Sequence, residues 1–428
     1  MNIRANAFWL IDRLKGGKVG TYYNEVLSSI KGLGTDNSSN LDNILNWAVN
    51  NVPFYKQFKG FKSIYDFPII NKGVIKEHED AMIANGFIKE NLFVESTSGS
   101  TGTPLKVYQD RGKRIRARAD TIAFSEIAGY SFGTKLYYSR VWNELNNKSR
   151  WQSLVQNIVM QDSSRLSDED LSAFLRQLEN DPSEKSVLIF ASTLAALYHY
   201  MIRNNVSTTA KVKCFITMSE SLAEEVRNGI KDLFHTSVVA RYSNCECGII
   251  AQQCCDETEY HINAASFFVE TLKFDSDEPA GNDIPGRIVV TDLFNRAMPL
   301  IRYDTGDVGV ISLSPKCHLP GPVLSRVDGR RIDCIYSTDG KVLSPYVINN
   351  TLWRFNELKQ YQFIQNHDNN YLIKLNTKKN EFYRINELLT ELKKYIGQDA
   401  NITVEFVDEI PLLASGKRKQ VINNYKPI

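Results

Sequence analysis

A run of small hydroxyl residues and glycines, Ser96-Thr97-Ser98-Gly99-Ser100-Thr101-Gly102-Thr103, closed by Pro104-Leu105-Lys106, is the segment best suited to hold an anion. Small side chains let backbone N–H groups approach phosphate oxygens closely, hydroxyls add donors, and the lysine adds positive charge. The apolar stretch Asn91-Leu92-Phe93-Val94-Glu95 before it reads as a strand. Taken alone, the run reads equally well as a flexible Ser/Gly loop. A kinase-type phosphate loop needs G-x-x-x-x-G-K-[S/T], and Gly99–Lys106 does not fit that spacing.

Three further segments carry groups that suit nucleotide chemistry. Tyr242-Ser243-Asn244-Cys245-Glu246 follows an apolar strand, and the carboxyl ends of parallel strands are where open α/β sheets place ligands. Glu246 there suits Mg²⁺, which takes one or two carboxylates plus phosphate oxygens; the plain alternative is a glutamate at a helix start. Arg302-Tyr303-Asp304-Thr305-Gly306-Asp307 reads as a tight turn between apolar strands, with carboxylates able to bind both hydroxyls of a ribose. Ser415-Gly416-Lys417 brings a lysine near the C-terminus, either as part of a solvated basic tail with Arg418 and Lys419 or as a mobile cation for developing phosphate charge.

Cys254, Cys255, His261 and Cys317-His318 lie within one stretch of the chain, and a zinc site drawn from Cys255, His261 and Cys317 is one reading. The spacing has no paired C-x₂-C knuckle, so buried free thiols acting as small hydrophobes are the preferred one.

These groups must be positioned by an α/β framework. The 428 residues, 43% hydrophobic and 23% charged, suit a soluble protein of more than one domain. The net charge of +2 gives no electrostatic footprint for nucleic acid. The apolar run Phe8-Trp9-Leu10-Ile11 is too short for a signal peptide or a membrane span, which points to the cytoplasm and reduced cysteines. Residues 1–90 read as mostly helical. Ser186–Ala191, Val212–Thr217 and Val238–Tyr242 read as buried strands, with a helix opening at the capping-box spacing Ser221-Leu222-Ala223-Glu224 between the last two. This rhythm predicts an α/β core with parallel strands. Strands are then expected over Ser266–Phe274, Gly286–Leu293 and Pro299–Ser312. From Gly329 a small α+β lid is expected, with strands around Asp368-Asn369-Asn370, a helix near Asn380–Ile396 burying Leu388, Leu392 and Ile396, and a last strand at Ile402–Val407.

In order, these segments resemble the adenylate-forming (AMP-forming) acyl ligase superfamily. The match runs through Ser98–Lys106, Tyr242–Glu246, Tyr303–Asp307, Gly329–Asp333 and Gly416–Lys417. Met218-Ser219-Glu220-Ser221 and Tyr242-Ser243-Asn244 are similar to the phenylacetate–CoA ligase-like branch, and Val289–Asn295 and Tyr260–Asn263 to its capsular-polysaccharide (CapK-like) members. The resemblance implies ATP and Mg²⁺ as cofactors, a small-molecule carboxylate, and either coenzyme A or an amine as acceptor. It implies a core over 1–328 and a mobile lid over 329–428, in a monomer or homodimer without nucleic acid or a membrane span. Ser98, Gly99, Ser100, Thr101, Gly102 and Lys106 would cradle the departing phosphates, with Ser219, Glu220, Tyr242 and Ser243 also binding the nucleotide. Glu246 would hold Mg²⁺, Asp307 the ribose, Arg330 (or its neighbour Arg331) the ribose or a phosphate, and Lys417 the attacking carboxylate and α-phosphate. Some relatives carry a structural zinc near Cys255, His261 and Cys317, but position 319, where a further cysteine is usual, is Leu319 here. A non-catalytic nucleotide-binding module is the alternative of another class.

Overall fold

A computed structural model describes residues 2–33, 38–96, 105–142, 147–254, 258–330, 334–343, 345–355, 357–377, 381–411 and 418–425. Two compact units divide the chain, Met1–Thr134 with Val239–Val327, and Lys135–Val238 with Asp328–Ile428. No helix among the described residues is long and apolar enough to cross a membrane.

In the first unit, helices Ile3–Leu14, Lys18–Ile30, Ser38–Asn51 and Arg111–Ile127 accompany a β-rich half. Its strands lie in the order Phe267–Leu272, Gly286–Asp292, Tyr303–Ser312, Val323–Arg330, Tyr260–Ile262, Gly248–Gln253, Ser237–Asn244. Every residue of Gly286–Asp292 is buried, and the apolar centre Ile288, Val289 and Val290 has no exposed surface, as in a strand covered on both faces. Asp110 caps the helix Arg111–Ile127 by accepting from the Lys113 backbone N–H at 2.9 Å. Its second oxygen accepts from the backbone N–H groups of Arg296 and Ala297, tying the helix start to the loop after Gly286–Asp292.

In the second unit, parallel strands lie in the order Ile158–Asp162, Lys135–Arg140, Lys185–Phe190, Val212–Met218. Helices Asp168–Asn180, Ala191–Arg203 and Glu224–Phe234 pack on them through Leu171, Leu175, Leu194, Leu197, Val226 and Ile230. The expected cap at Ser221 is not used. The helix opens at Glu224 with Ala223 as its N-cap, and its acidic first turn of Glu224 and Glu225 suits the helix dipole. The C-terminal part forms a four-stranded sheet, Asn401–Phe406, Asn370–Asn376, Gln360–His367, Val421–Asn423, covered by helix Ile385–Ile396. Leu388, Leu392 and Ile396 are fully buried against that sheet, and Gly397 (φ 116°) ends the helix in a conformation that side chains resist.

Candidate functional site

Phe93–Ser96 pairs antiparallel with Lys106–Gln109, with Ser96 opposite Lys106. The hydroxyl-rich run therefore connects the two arms of a hairpin, and Lys106 stands exposed where the second arm begins. Ser98, Gly99, Ser100, Thr101 and Gly102 lie outside the described residues.

Tyr242–Glu246 and Tyr303–Asp307 meet in the first unit, and they do so reciprocally. Each has a tyrosine at its first position and a carboxylate at its fifth. The Tyr242 hydroxyl donates to Asp307 Oδ2 at 2.8 Å, and the Tyr303 hydroxyl donates to Glu246 Oε1 at 3.0 Å. Burial, reinforced by the neighbouring carboxylate, holds both phenols well above the usual tyrosine range, so both remain donors. Glu246 is almost fully buried, as is Tyr303, and a buried carboxylate needs such a donor to remain charged.

The backbone explains how each acid reaches this place, and it corrects two expectations. Ser237–Asn244 is followed by an antiparallel partner, Gly248–Gln253, so Glu246 sits in the hairpin turn just past that strand's carboxyl end and not at a helix start. Asn244 Oδ1 accepts from the Cys247 N–H at 2.7 Å and closes that turn. The register slips between Tyr242 and Ser243, a bulge that re-aims the strand end. Asp304-Thr305-Gly306-Asp307 is likewise not a turn between strands. It lies inside the single strand Tyr303–Ser312, where the pairing passes from Val289↔Asp304 to Arg287↔Val308, so 305–307 bulge out opposite Ile288. Gly306 (φ 80°) makes that bulge possible, and Thr305 pins it by donating to the Ile288 carbonyl at 3.0 Å.

Two residues to which the sequence assigned no role stand beside this centre. Lys72 Nζ lies 2.9 Å from Glu246 Oε1, the oxygen that also accepts from Tyr303. Its position follows from a short bridge: Ile70 pairs with Tyr303, donating to the Arg302 carbonyl and accepting from the Asp304 N–H at 2.8 Å. Nothing in Asn71-Lys72-Gly73 marks the lysine except the Asn71 cap of the helix that it starts. Arg302 is the other. It is buried at φ 49°, a strained conformation for a residue with a side chain, and its guanidinium donates to Glu270 at 3.2 Å and to the Phe67 carbonyl at 3.2 Å. A hard cation fits Glu246 as a donor, because Lys72 is 44% exposed and can leave the carboxylate for solvent.

Ser219 and Glu220 belong to the second unit, just beyond the carboxyl end of strand Val212–Met218. Ser219 holds φ 70°, and Glu220 Oε2 accepts from the Ser192 N–H at 2.8 Å, at the start of helix Ala191–Arg203. Arg330 is exposed at the end of strand Val323–Arg330, next to Gly329 (φ 95°). Arg331 and Lys417 lie outside the described residues.

The ligand atoms of Cys254, His261 and Cys317 gather within 4.8 Å of one another, with Cys317 Sγ 3.0 Å from His261 Nε2. Of the adjacent pair Cys254 and Cys255, it is Cys254 that joins this cluster, and Cys255 lies outside the described residues. Burial pushes the Cys317 thiol up to about 11 and the His261 imidazole down. Two sulfurs and one imidazole are a donor set that fits zinc, which Cys254, His261 and Cys317 would hold as a clasp between strand ends and the 315–319 loop.

Residues 335–424 match the CapK C-terminal domain family. Protein CapK of Staphylococcus aureus is 25% identical over 431 residues, spanning 95% of this chain and 93% of its own. The solved structure of 2-hydroxyisobutyryl-CoA ligase in the postadenylation state, in complex with 2-HIB-AMP, matches with a TM-score of 0.72 at 16% identity, over 90% of this chain and 88% of its own. ATP-bound MatB from Rhodopseudomonas palustris matches with a TM-score of 0.56 at 13% identity, over 78% and 68%. The chain thus carries a CapK C-terminal domain over 335–424, is similar to CapK along nearly its whole length, and has the fold of these acyl-CoA ligases.

Proposed function

We propose that this chain is an ATP-dependent, AMP-forming carboxylate ligase. It would make an acyl-adenylate and pass the acyl group to an acceptor in surface or capsular polysaccharide assembly, as an amide on a sugar acid or amino-acid substituent. The observation that carries this reading is the reciprocal pairing of Tyr242 with Asp307 and Tyr303 with Glu246. Two segments far apart in the chain hold each other's carboxylate in a fixed place, as a ribose clamp and a metal ligand must be held. The likeness to CapK favours the polysaccharide setting; transfer to coenzyme A is the second reading, favoured by the fold shared with CoA ligases. The need for ATP suits a cytoplasmic location.

In the first half-reaction a substrate carboxylate oxygen attacks the α-phosphorus of ATP and pyrophosphate leaves. Ser98, Ser100, Thr101 and Lys106, with the backbone at Gly99 and Gly102, would hold the leaving phosphates. Asp307 would accept from the ribose hydroxyls, its second contact with Tyr242 keeping it aimed. Ser219, Glu220 and Ser243 would line the nucleotide, and Arg330 would meet the ribose or a phosphate. Mg²⁺ bound at Glu246 would supply charge neutralisation for the phosphates. Lys417 would steady the charge that grows between carboxylate and α-phosphate. In the second half-reaction the lid over 329–428 swings about the hinge near Asp333, Lys417 withdraws, and the acceptor attacks the acyl carbon while AMP leaves.

A carboxylate-dependent ATP–pyrophosphate exchange screen across uronic acids, aryl acids and amino acids tests the reaction class. Exchange with one class is the expected result, and ADP release in place of pyrophosphate overturns the proposal. Asp307→Ala is expected to weaken ATP binding roughly ten- to a hundredfold by calorimetry, the range for a lost hydrogen bond to a charged group. Unchanged affinity removes the ribose assignment. Lys72 competes for the carboxylate that would take the metal. Lys72→Met is therefore expected to lower the Mg²⁺ concentration giving half-maximal pyrophosphate release by roughly two- to fivefold, the worth of a half-exposed ion pair.

A further inference from the structure

Helix Ile3–Leu14 has no buried residue, yet one side of it is firmly seated. Phe8 packs edge-on against Phe132 at 4.9 Å, and Trp9 packs on Tyr23 at 5.2 Å. The Asn2 side chain donates to the Phe132 carbonyl at 2.8 Å. Asp12 accepts from the backbone N–H groups of Val19 and Gly20 at 3.2 and 2.9 Å, fixing the turn into the next helix.

The opposite side carries Ile3, Ala7, Leu10, Ile11 and Leu14 at helical spacing. Ile3 is 81% exposed, Leu10 59%, Ile11 50% and Leu14 80%. At 3.6 residues per turn these five side chains form a stripe about 100° wide, and the rotation places Arg4 and Lys15 along one margin and Arg13 along the other. Lys18 follows at the start of the next helix. Asp12, the one acid in this stretch, is turned inward to the backbone of the next helix. What faces out is therefore apolar along its centre and cationic at its edges.

We propose that this stripe is a docking face for an anionic phospholipid bilayer, the helix lying in the interface plane. The charge pattern selects this occupant. Leucine and isoleucine enter the acyl boundary while flanking arginines and lysines reach back to phosphate headgroups. Each cation near such a surface adds attraction that salt weakens. A second copy of this chain would set the Arg4, Arg13 and Lys15 margins against their own counterparts, a like-charge contact. The seating of Phe8, Trp9 and Asp12 keeps the helix formed before contact, so docking costs little ordering.

Co-sedimentation of the full chain with large unilamellar vesicles of phosphatidylglycerol and phosphatidylcholine, against pure phosphatidylcholine, tests this. The wild type is expected to sediment with the anionic vesicles, and to be released as salt rises. Leu10→Ser/Leu14→Ser is expected to lower the partition coefficient by roughly tenfold or more, since each leucine contributes through its buried apolar area. Arg4→Gln/Arg13→Gln is expected to lower it on anionic vesicles alone. Both pairs are exposed, so an unchanged thermal melting temperature and an unchanged sedimentation coefficient accompany the expected loss. Absence of wild-type binding to anionic vesicles overturns the proposal. So does binding that the leucine variant retains, or a dimer that Leu10→Ser/Leu14→Ser dissociates.

Discussion

Lys417→Ala is expected to lower pyrophosphate release in the presence of the carboxylate substrate by roughly 10²–10³-fold, the cost of removing one preorganised donor from a developing charge. Turnover of a supplied acyl-adenylate is expected to stay within about a factor of two of wild type. The asymmetry follows from the roles proposed above. Negative charge accumulates where the carboxylate oxygen closes on the α-phosphorus, and a cation placed there stabilises the transition state more than the ground state. The second half-reaction has a different centre, the acyl carbon, and proceeds with Lys417 withdrawn. ATP affinity should therefore change far less than the rate, because Asp307 and the hydroxyl-rich loop carry ground-state binding. Single-turnover measurement of each half-reaction separates these quantities. Equal losses in both halves would assign Lys417 to folding or to general binding.

How much of this was legible depends on whether a residue's burial shows in the local pattern. Lys185–Phe190 and Val212–Met218 stand out because continuous apolar runs mark strands covered on both faces. Glu246 and Asp307 stand out as acids in recognisable segments, but their local structure did not. Hairpin turn and bulge alike use Asp, Asn and Gly, so composition leaves the choice between a turn and an interrupted strand open. Lys72 was invisible because its place depends on the bridge from Ile70 to Tyr303, a contact across more than two hundred residues. The longest helix of the first unit, Arg111–Ile127, escaped for another reason. Its buried face carries Lys113, Arg116 and Asp120, so an apolar stripe is broken by charges that ordinarily mark the solvent side.

Those charges are held by partners, and the most enclosed of them yields the largest expected stability effect. Lys113 Nζ lies 2.7 Å from Asp292 Oδ2, and neither side chain has exposed surface. The ammonium also sits over the Phe267 ring at 4.5 Å. Asp292 Oδ1 accepts from the Phe294 and Asn295 N–H groups, so the carboxylate also shapes the turn that follows strand Gly286–Asp292. Lys113→Met keeps most of the packing but leaves a carboxylate buried without its cation. It is expected to destabilise the chain by about 3–5 kcal/mol in chemical denaturation, the usual cost of breaking a buried pair from one side. The double variant Lys113→Met/Asp292→Asn removes both charges and keeps an acceptor for the turn. It is expected to be more stable than Lys113→Met, because the penalty lies in the unpaired charge more than in the lost attraction. A Lys113→Met variant within about 1 kcal/mol of wild type would mean that the pair does not secure the helix Arg111–Ile127 to its sheet.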